Sequence, residues 1–267
     1  MSSPSSSPMA SSDPDASGGL TESARANRAF WDGYSTEYQS LHHEALGGDP
    51  AWGLWRTPDA QLGVLGDVAG LDVLELGCGG AQFSLQLAAR GARLTGLDNS
   101  EAQLAYARTL QEQSGLSFPL VHGQAEQLPF PDESFDLVFN DFGAAHFADP
   151  LPMIPEVARV LRRGGRLVFS HSSPLEWLCF DEAADAWGST LLRPFFGLHS
   201  QTDPEGTVVF NLSHGEWIRL FTSCGLQIER LVEWQPAPDA VSTYRDEPTR
   251  AWARRWPVEE IWVVSKP

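Results

Sequence analysis

The sequence predicts an α/β fold in which helices cover a mostly parallel sheet, and three observations predict it. The run Leu71-Asp72-Val73-Leu74-Glu75-Leu76 reads as a short apolar strand that enters a glycine turn, Gly77-Cys78-Gly79-Gly80, and then a helix over 81–90. A second apolar strand, 92–97, ends on an acid, Asp98. Further short strands at 118–121, 135–139 and 167–170 alternate with helical segments, which is the signature of strand–helix–strand units. At 267 residues the chain is long enough for one sizeable α/β domain with a cap or insertion.

Residues 1–19 are rich in Ser and Pro and lack a charged-then-apolar leader, so a disordered tail is expected. Residues 21–43 carry Phe30, Trp31, Tyr34, Tyr38 and Leu41 near helical spacing, which predicts an amphipathic helix whose aromatics cover the domain edge. Trp52-Gly53-Leu54-Trp55-Arg56 then leads into a helix over 59–65; its two tryptophans either line a cavity or anchor the loop. At the glycine turn, the backbone can bend with φ > 0 and a ligand can approach bare main chain. The first helical turn adds unpaired N–H donors and partial positive charge.

The spacing Gly77-x-Gly79-Gly80 departs from the G-x-G-x-x-G of a pyrophosphate loop, and Glu75 two residues ahead would repel a pyrophosphate. Asp98 follows Glu75 by 23 residues, where such folds place an acid that holds ribose hydroxyls. The next helix, 100–113, opens on a Ser100/Gln103 capping box, turns Leu104, Ala107 and Leu110 to the sheet, and stops at Gly115. A helix over 151–161 begins with Pro152 and Pro155, which suit only a first turn. Residues 213–225 form another helix, a sixth strand covers 226–234, and 261–264 close the sheet.

Glu75-x-Gly77-x-Gly79 with the strand-end Asp98 resembles the class I S-adenosylmethionine-dependent methyltransferases, most of all the small-molecule "type 11" group of ubiquinone and menaquinone biosynthesis. The likeness runs over residues 73–170. His122-Gly123-Gln124-Ala125-Glu126-Gln127-Leu128-Pro129-Phe130 is similar to that family's G-D-A-E-x-L-P-F block, with Gln124 in the Asp place. His146-Phe147-Ala148-Asp149-Pro150 is similar to H-x-x-D-P, and Leu161-Arg162-Arg163-Gly164-Gly165-Arg166-Leu167-Val168 to L-K-P-G-G-x-L.

The resemblance implies a Rossmann-like sandwich on a seven-stranded, mostly parallel sheet, its last strand antiparallel and set next to strand five. It implies an N-terminal helical lid at 20–66, a methyltransferase domain at 67–267, and a substrate-cap insertion after strand five at about 172–212. The implied cofactor is S-adenosyl-L-methionine. Glu75 would orient the loop or reach the ammonium through water, and Gly77, Cys78 and Gly79 would pass the methionine carboxylate and adenosine. Asp98 would accept the ribose hydroxyls, Asn99 would lie beside the adenine, and Gln124, Ala125 and Glu126 would recognise it. Asn140 stands at the strand tip toward which the donor methyl points, and Tyr34 and Tyr38 would be the lid contacts with Trp31 behind them.

His146 and His171 are the candidate general bases, with Asp141 as an orienter and His214 further out. The acceptor is expected to be a small molecule, apolar or aromatic. Asn140-Asp141-Phe142-Gly143 replaces the Asn-Pro-Pro-Tyr of nucleic-acid and amide nitrogen methylases. A formal charge of −17 argues against nucleic acid as a partner. Arg250, Arg254 and Arg255 read as a solvated or locally paired helix face. Three cysteines without C-x-x-C spacing indicate neither zinc nor a disulfide framework and suit the cytoplasm, and no apolar run reaches the ~20 residues of a membrane span. A regulator or cyclase-like protein of the same fold and an NAD-dependent oxidoreductase are the alternatives.

Overall fold

The computed structural model describes residues 19–203 and 205–267; the expected tail, apart from Gly19, lies outside them. Seven strands form the main sheet: β1 Asp72–Leu76, β2 Arg93–Asp98, β3 Leu120–His122, β4 Phe135–Asp141, β5 Leu161–Ser172, β6 Gln227–Glu233 and β7 Glu259–Ser265. Their order is β6-β7-β5-β4-β1-β2-β3. β7 runs antiparallel to both β5 and β6, and the pairs from β5 through β3 are parallel. The expected antiparallel closing strand beside strand five is therefore present.

Period-two alternation explains why these segments are strands buried on both faces. Val73, Leu137, Phe139, Ile261 and Val263 enter one core, with Trp52, Leu65, Phe83 and Leu87. Leu74, Val138, Trp262 and Val264 enter the other, with Ile154, Val157, Trp217 and Phe221. The order reverses between β1 and β4, because the chain winds outward through β2 and β3 before crossing back. Ligands of open α/β sheets bind beyond the carboxyl ends of the strands at such a reversal.

Eight helices of at least five residues cover the sheet among the described residues: α1 Glu22–Leu46, α2 Gln82–Ala88, α3 Glu101–Ser114, α4 Gly143–Phe147, α5 Pro150–Val160, α6 Pro174–Cys179, α7 His214–Ser223 and α8 Glu247–Ala253. Several differ from expectation for identifiable reasons. The helix expected over 59–65 is a single turn, Asp59–Leu62, closed by Gly63 at φ 60; Asp59 Oδ1 takes the Val64 and Leu65 amides and Trp52 Nε1 instead. Only half of the capping box at Ser100 forms, because Gln103 Oε1 accepts a bond from Gln39 of α1. Pro150, not Pro152, starts α5, and Pro155 falls inside it. β5 begins six residues early, at Leu161, with a register shift opposite Phe135 and Leu137 that accommodates the Arg162–Gly165 turn.

The buried face of α1 also departs from expectation. Its buried residues are Ala24, Asn27, Ser35, Gln39 and His42, while the aromatics are only partly covered. Of the helix face expected at Arg250, Arg254 and Arg255, only Arg250 lies within α8; Arg250 and Arg254 donate to the Ala240 and Pro236 carbonyls, and Arg255 lies over the Trp256 ring. Residues 172–212 form α6 and two short hairpins, Phe180–Asp181 with Ala186–Trp187 and Ser200–Thr202 with Val208–Phe210. Trp177, Leu178 and Leu198 give this insertion its own small core.

Candidate active site

A cavity lies at the strand-order reversal and encloses about 1080 Å³ of space, part of it open to solvent. Its wall on one side is the glycine turn. Gly77 has φ 65, and a Cβ there would collide with the Ala144 backbone nitrogen at the start of α4. A Cβ on Gly143 would in turn strike the Gly77 carbonyl, so these two glycines permit one close backbone crossing. Cys78 N donates to Leu97 O and ties the turn to β2. Burial pushes the Cys78 thiol well up, which suits a space-filling role.

Two carboxylates hold this turn. Glu75 Oε2 accepts from Ser84 N at 3.1 Å and Ser84 Oγ at 2.5 Å, fastening α2 to β1. Burial pushes its pKa up to about 8 against those bonds. Asp98 Oδ2 accepts from Gly79 N at 2.7 Å and Oδ1 from Ser100 N at 2.8 Å. Burial raises this acid as well. Each Asp98 oxygen keeps a lone pair beyond its backbone bond, and the residue lines the cavity.

The sequence-predicted cofactor residues divide cleanly. Tyr38, Glu75, Gly77, Cys78, Gly79, Asp98, Asn99, Gln124, Ala125 and Glu126 all border the cavity. The Asn99 side chain is engaged by Arg28 Nε and donates to Ala24 O, so it anchors α1. Gln124 Oε1 is buried with no partner. Tyr34 and Asn140 are not in the cavity wall. Trp31 and Tyr38 border it, and Tyr34 packs against the rings of Phe30, Trp31 and Tyr38, reversing the expected order. Asn140 donates to Leu76 O and accepts from Ala145 N; it braces β1 against α4.

Neither candidate base reaches the cavity wall. His146 lies among Phe142, Phe147 and Trp177, where burial pulls its pKa down to about 3. His171 is fully buried between Phe169 and Trp217, with Nε2 3.2 Å from Glu260 Oε1. The β5 alternation turns its side chain to the opposite face from Ser170, which donates to Asp141. His214, Glu233 and Glu260 come within metal-binding reach of one another away from the cavity, and His214 Nε2 pairs with Glu260 Oε2 at 2.7 Å. No described residue of 172–212 borders the cavity either.

Sequence reasoning missed Arg56 and the role of Asp141. Trp52 and Trp55 are buried anchors, so the tryptophan loop presents Arg56 to the cavity. Arg56 Nη1 meets Asp141 Oδ2 at 3.1 Å. Asp141 Oδ1 also accepts from Gly53 N at 2.8 Å and Ser170 Oγ at 2.5 Å, while burial raises its pKa. Phe142, Trp31, Phe83 and Phe147 supply the apolar wall.

A methyltransferase-domain family model matches residues 74–169. The ubiquinone biosynthesis O-methyltransferase of Ruegeria pomeroyi is 39% identical over 112 residues, covering 42% of this chain and 45% of that protein. The demethylmenaquinone methyltransferase of Bacillus subtilis is 32% identical over 147 residues, covering 54% and 62%. The chain thus spans about half the length of the curated relatives it matches. An S-adenosylmethionine-dependent methyltransferase structure from Mesorhizobium loti superposes with TM-score 0.64 at 24% identity, covering 77% of this chain and 95% of that one. The [4+2]-cyclase SpnF shares the fold at TM-score 0.61 and 18% identity, covering 92% and 96%.

Sheet order, glycine turn and matched domain together define a class I methyltransferase fold. Residues 74–169 match a methyltransferase domain, and the fold is that of solved methyltransferases that depend on S-adenosylmethionine. The cavity fits that group: bare backbone at Gly77 and Gly79, a carboxylate at Asp98, and an unpartnered amide oxygen at Gln124 face one space.

Proposed function

We propose that this protein transfers a methyl group from S-adenosylmethionine to a small-molecule acceptor with an apolar or aromatic body. The observation that carries the reading is Asp98. It is bonded to the glycine turn and to the N-cap of α3 at once, and it borders the cavity with lone pairs to spare. In this reading Asp98 accepts the ribose hydroxyls and Gln124 Oε1 accepts the adenine amino group. Gly77 and Gly79 let the amino-acid end lie on bare backbone. Trp31 and Tyr38 of α1 act as the lid, and Asp141-Phe142-Gly143 face the transferred group. The sulfonium supplies an already activated methyl, so alignment and exclusion of water are the main demands on the protein. The quinone methyltransferase relatives support an apolar acceptor. Free cysteines, and the absence of a membrane-crossing helix among the described residues, support a cytoplasmic site of action.

One observation favours a second reading, a protein of this fold that binds the cofactor without methyl transfer: among the described residues no histidine borders the cavity. Calorimetry with S-adenosylhomocysteine and, separately, NADH tests the cofactor; binding of the first alone is expected, and binding of NADH alone overturns the assignment. Incubation with methyl-labelled cofactor and small-molecule extract then separates the readings. Label in an extractable product is expected, and binding without transfer points to the second.

A further inference from the structure

We propose that the acceptor bears a carboxylate and that Arg56 receives it; this inference rests on the methyl-transfer reading of the cavity. Among the described residues, Arg56 is the only Lys or Arg in the cavity wall. Its side chain is 13% exposed, and its one hydrogen bond runs from Nη1 to Asp141. Nε is buried with no partner. A guanidinium has five N–H donors in a planar fork, so the edge carrying Nε and Nη2 is uncommitted. That edge matches the two oxygens of a carboxylate.

The surrounding structure fixes Arg56 there. Its own backbone is left-handed, with φ 49, a conformation a side-chain-bearing residue seldom adopts. Gly53 N donates to Asp141 and Leu54 N to Glu259, so strands β4 and β7 both hold the loop. A Cβ on Gly53 would collide with the Glu259 carboxylate. Trp52 and Trp55 root the loop in two separate cores. Backbone strain held by several independent contacts is the pattern of a functional position.

Asp141 does not use up the cation. Its three donors, from Gly53, Arg56 and Ser170, disperse its charge and leave it a brace for the guanidinium. In a chain of net charge −17 an anionic ligand needs a local cation, and Arg56 provides it beside an aromatic wall of Phe142, Trp31 and Phe147.

The test uses the full chain saturated with S-adenosylhomocysteine. Benzoate, 4-hydroxybenzoate and cinnamate are titrated calorimetrically, each against its primary amide. At least one acid is expected to bind ten times or more tighter than its amide. Arg56→Gln should abolish that preference, and Arg56→Lys, which keeps a cation for Asp141 but loses the fork, should cut acid affinity at least fivefold. S-adenosylhomocysteine affinity within threefold of wild type in both variants reports an intact fold. Amides that bind as tightly as acids, no acid that binds at all, or an Arg56→Gln variant that keeps the preference overturns the proposal. Failure of wild-type protein to bind S-adenosylhomocysteine instead overturns the cofactor reading beneath it.

Discussion

The two ends of the cavity are made in different ways. The end proposed for the cofactor is made of main chain: a glycine turn, two strand-end carboxylates bonded to amides, and a helix start, all within residues 75–100. The end proposed for the acceptor is made of side chains brought from far apart, Tyr38, Arg56, Asp141 and Phe142, and braced by Ser170 and Glu259. Main-chain geometry constrains which residues can stand at each position, because a wrong one collides or strains. A side-chain assembly constrains only chemistry and reach, so it can be rebuilt for another acceptor without disturbing the first half.

If that contrast holds, substitutions at the cofactor end should damage fold and affinity together, and those at the acceptor end should damage one at a time. The largest effect is expected from Gly77→Ala, which adds a Cβ at φ 65 against the Ala144 backbone. A loss of about 4 kcal/mol or more, or no folded protein, should appear in thermal melts; a shift under about 3 °C would break the contrast.

Next is pH. Glu75 is held up to about 8 by burial, against an ordinary 4.5. Folded protein thus keeps a proton that unfolded chain has released, and the stabilisation is complete below about 4.5 and lost as pH rises through about 8. Stability should fall by up to about 1.4 kcal/mol per pH unit across that window. Glu75→Gln should flatten the slope, and an unchanged slope in denaturant titrations would refute the assignment.

Asp98→Ala should weaken S-adenosylhomocysteine at least ~10-fold, about 1.4 kcal/mol, since charge-assisted bonds are lost. Equal affinity by calorimetry would remove Asp98 from the site. Tyr38→Phe removes the 2.9 Å bond to the Tyr244 hydroxyl and should cost about 1 kcal/mol of stability. The smallest effect belongs to Tyr34→Phe, which should leave cofactor affinity within twofold because the ring lies outside the cavity wall; a tenfold loss would restore the order expected from sequence.

The same contrast explains what could be read in advance. That Gly77, Gly79 and Asp98 border one cavity was legible because their spacing along one continuous segment is itself the geometry. The place of Gln124 through Glu126 in the cavity wall was legible by likeness to a family block. Arg56 was not, since nothing local to Trp52-Gly53-Leu54-Trp55-Arg56 tells which of the five faces a cavity; Asp141, 85 residues on, decides it. Gly143 was missed because its need for a bare α-carbon arises only where Gly77 crosses it. Asn140 and His171 were misplaced by one pleat: they sit beside Asp141 and Ser170, and side chains alternate along β4 and β5.

The polar underside of α1 bears on traffic through the cavity. Asn27 grips Phe147 and Val208, Asp32 takes Ser100 and Ala102, and Gln39 joins Gln82 to Gln103. Most of these grips trade for bonds to water at a net cost of about 0.5–1.5 kcal/mol apiece. If α1 is the lid proposed above, a roof fastened by amides and carboxylates lifts and reseats without baring a slab of hydrocarbon, which leaves ligand exchange easy in a fold whose cores on both faces of the sheet stay shut.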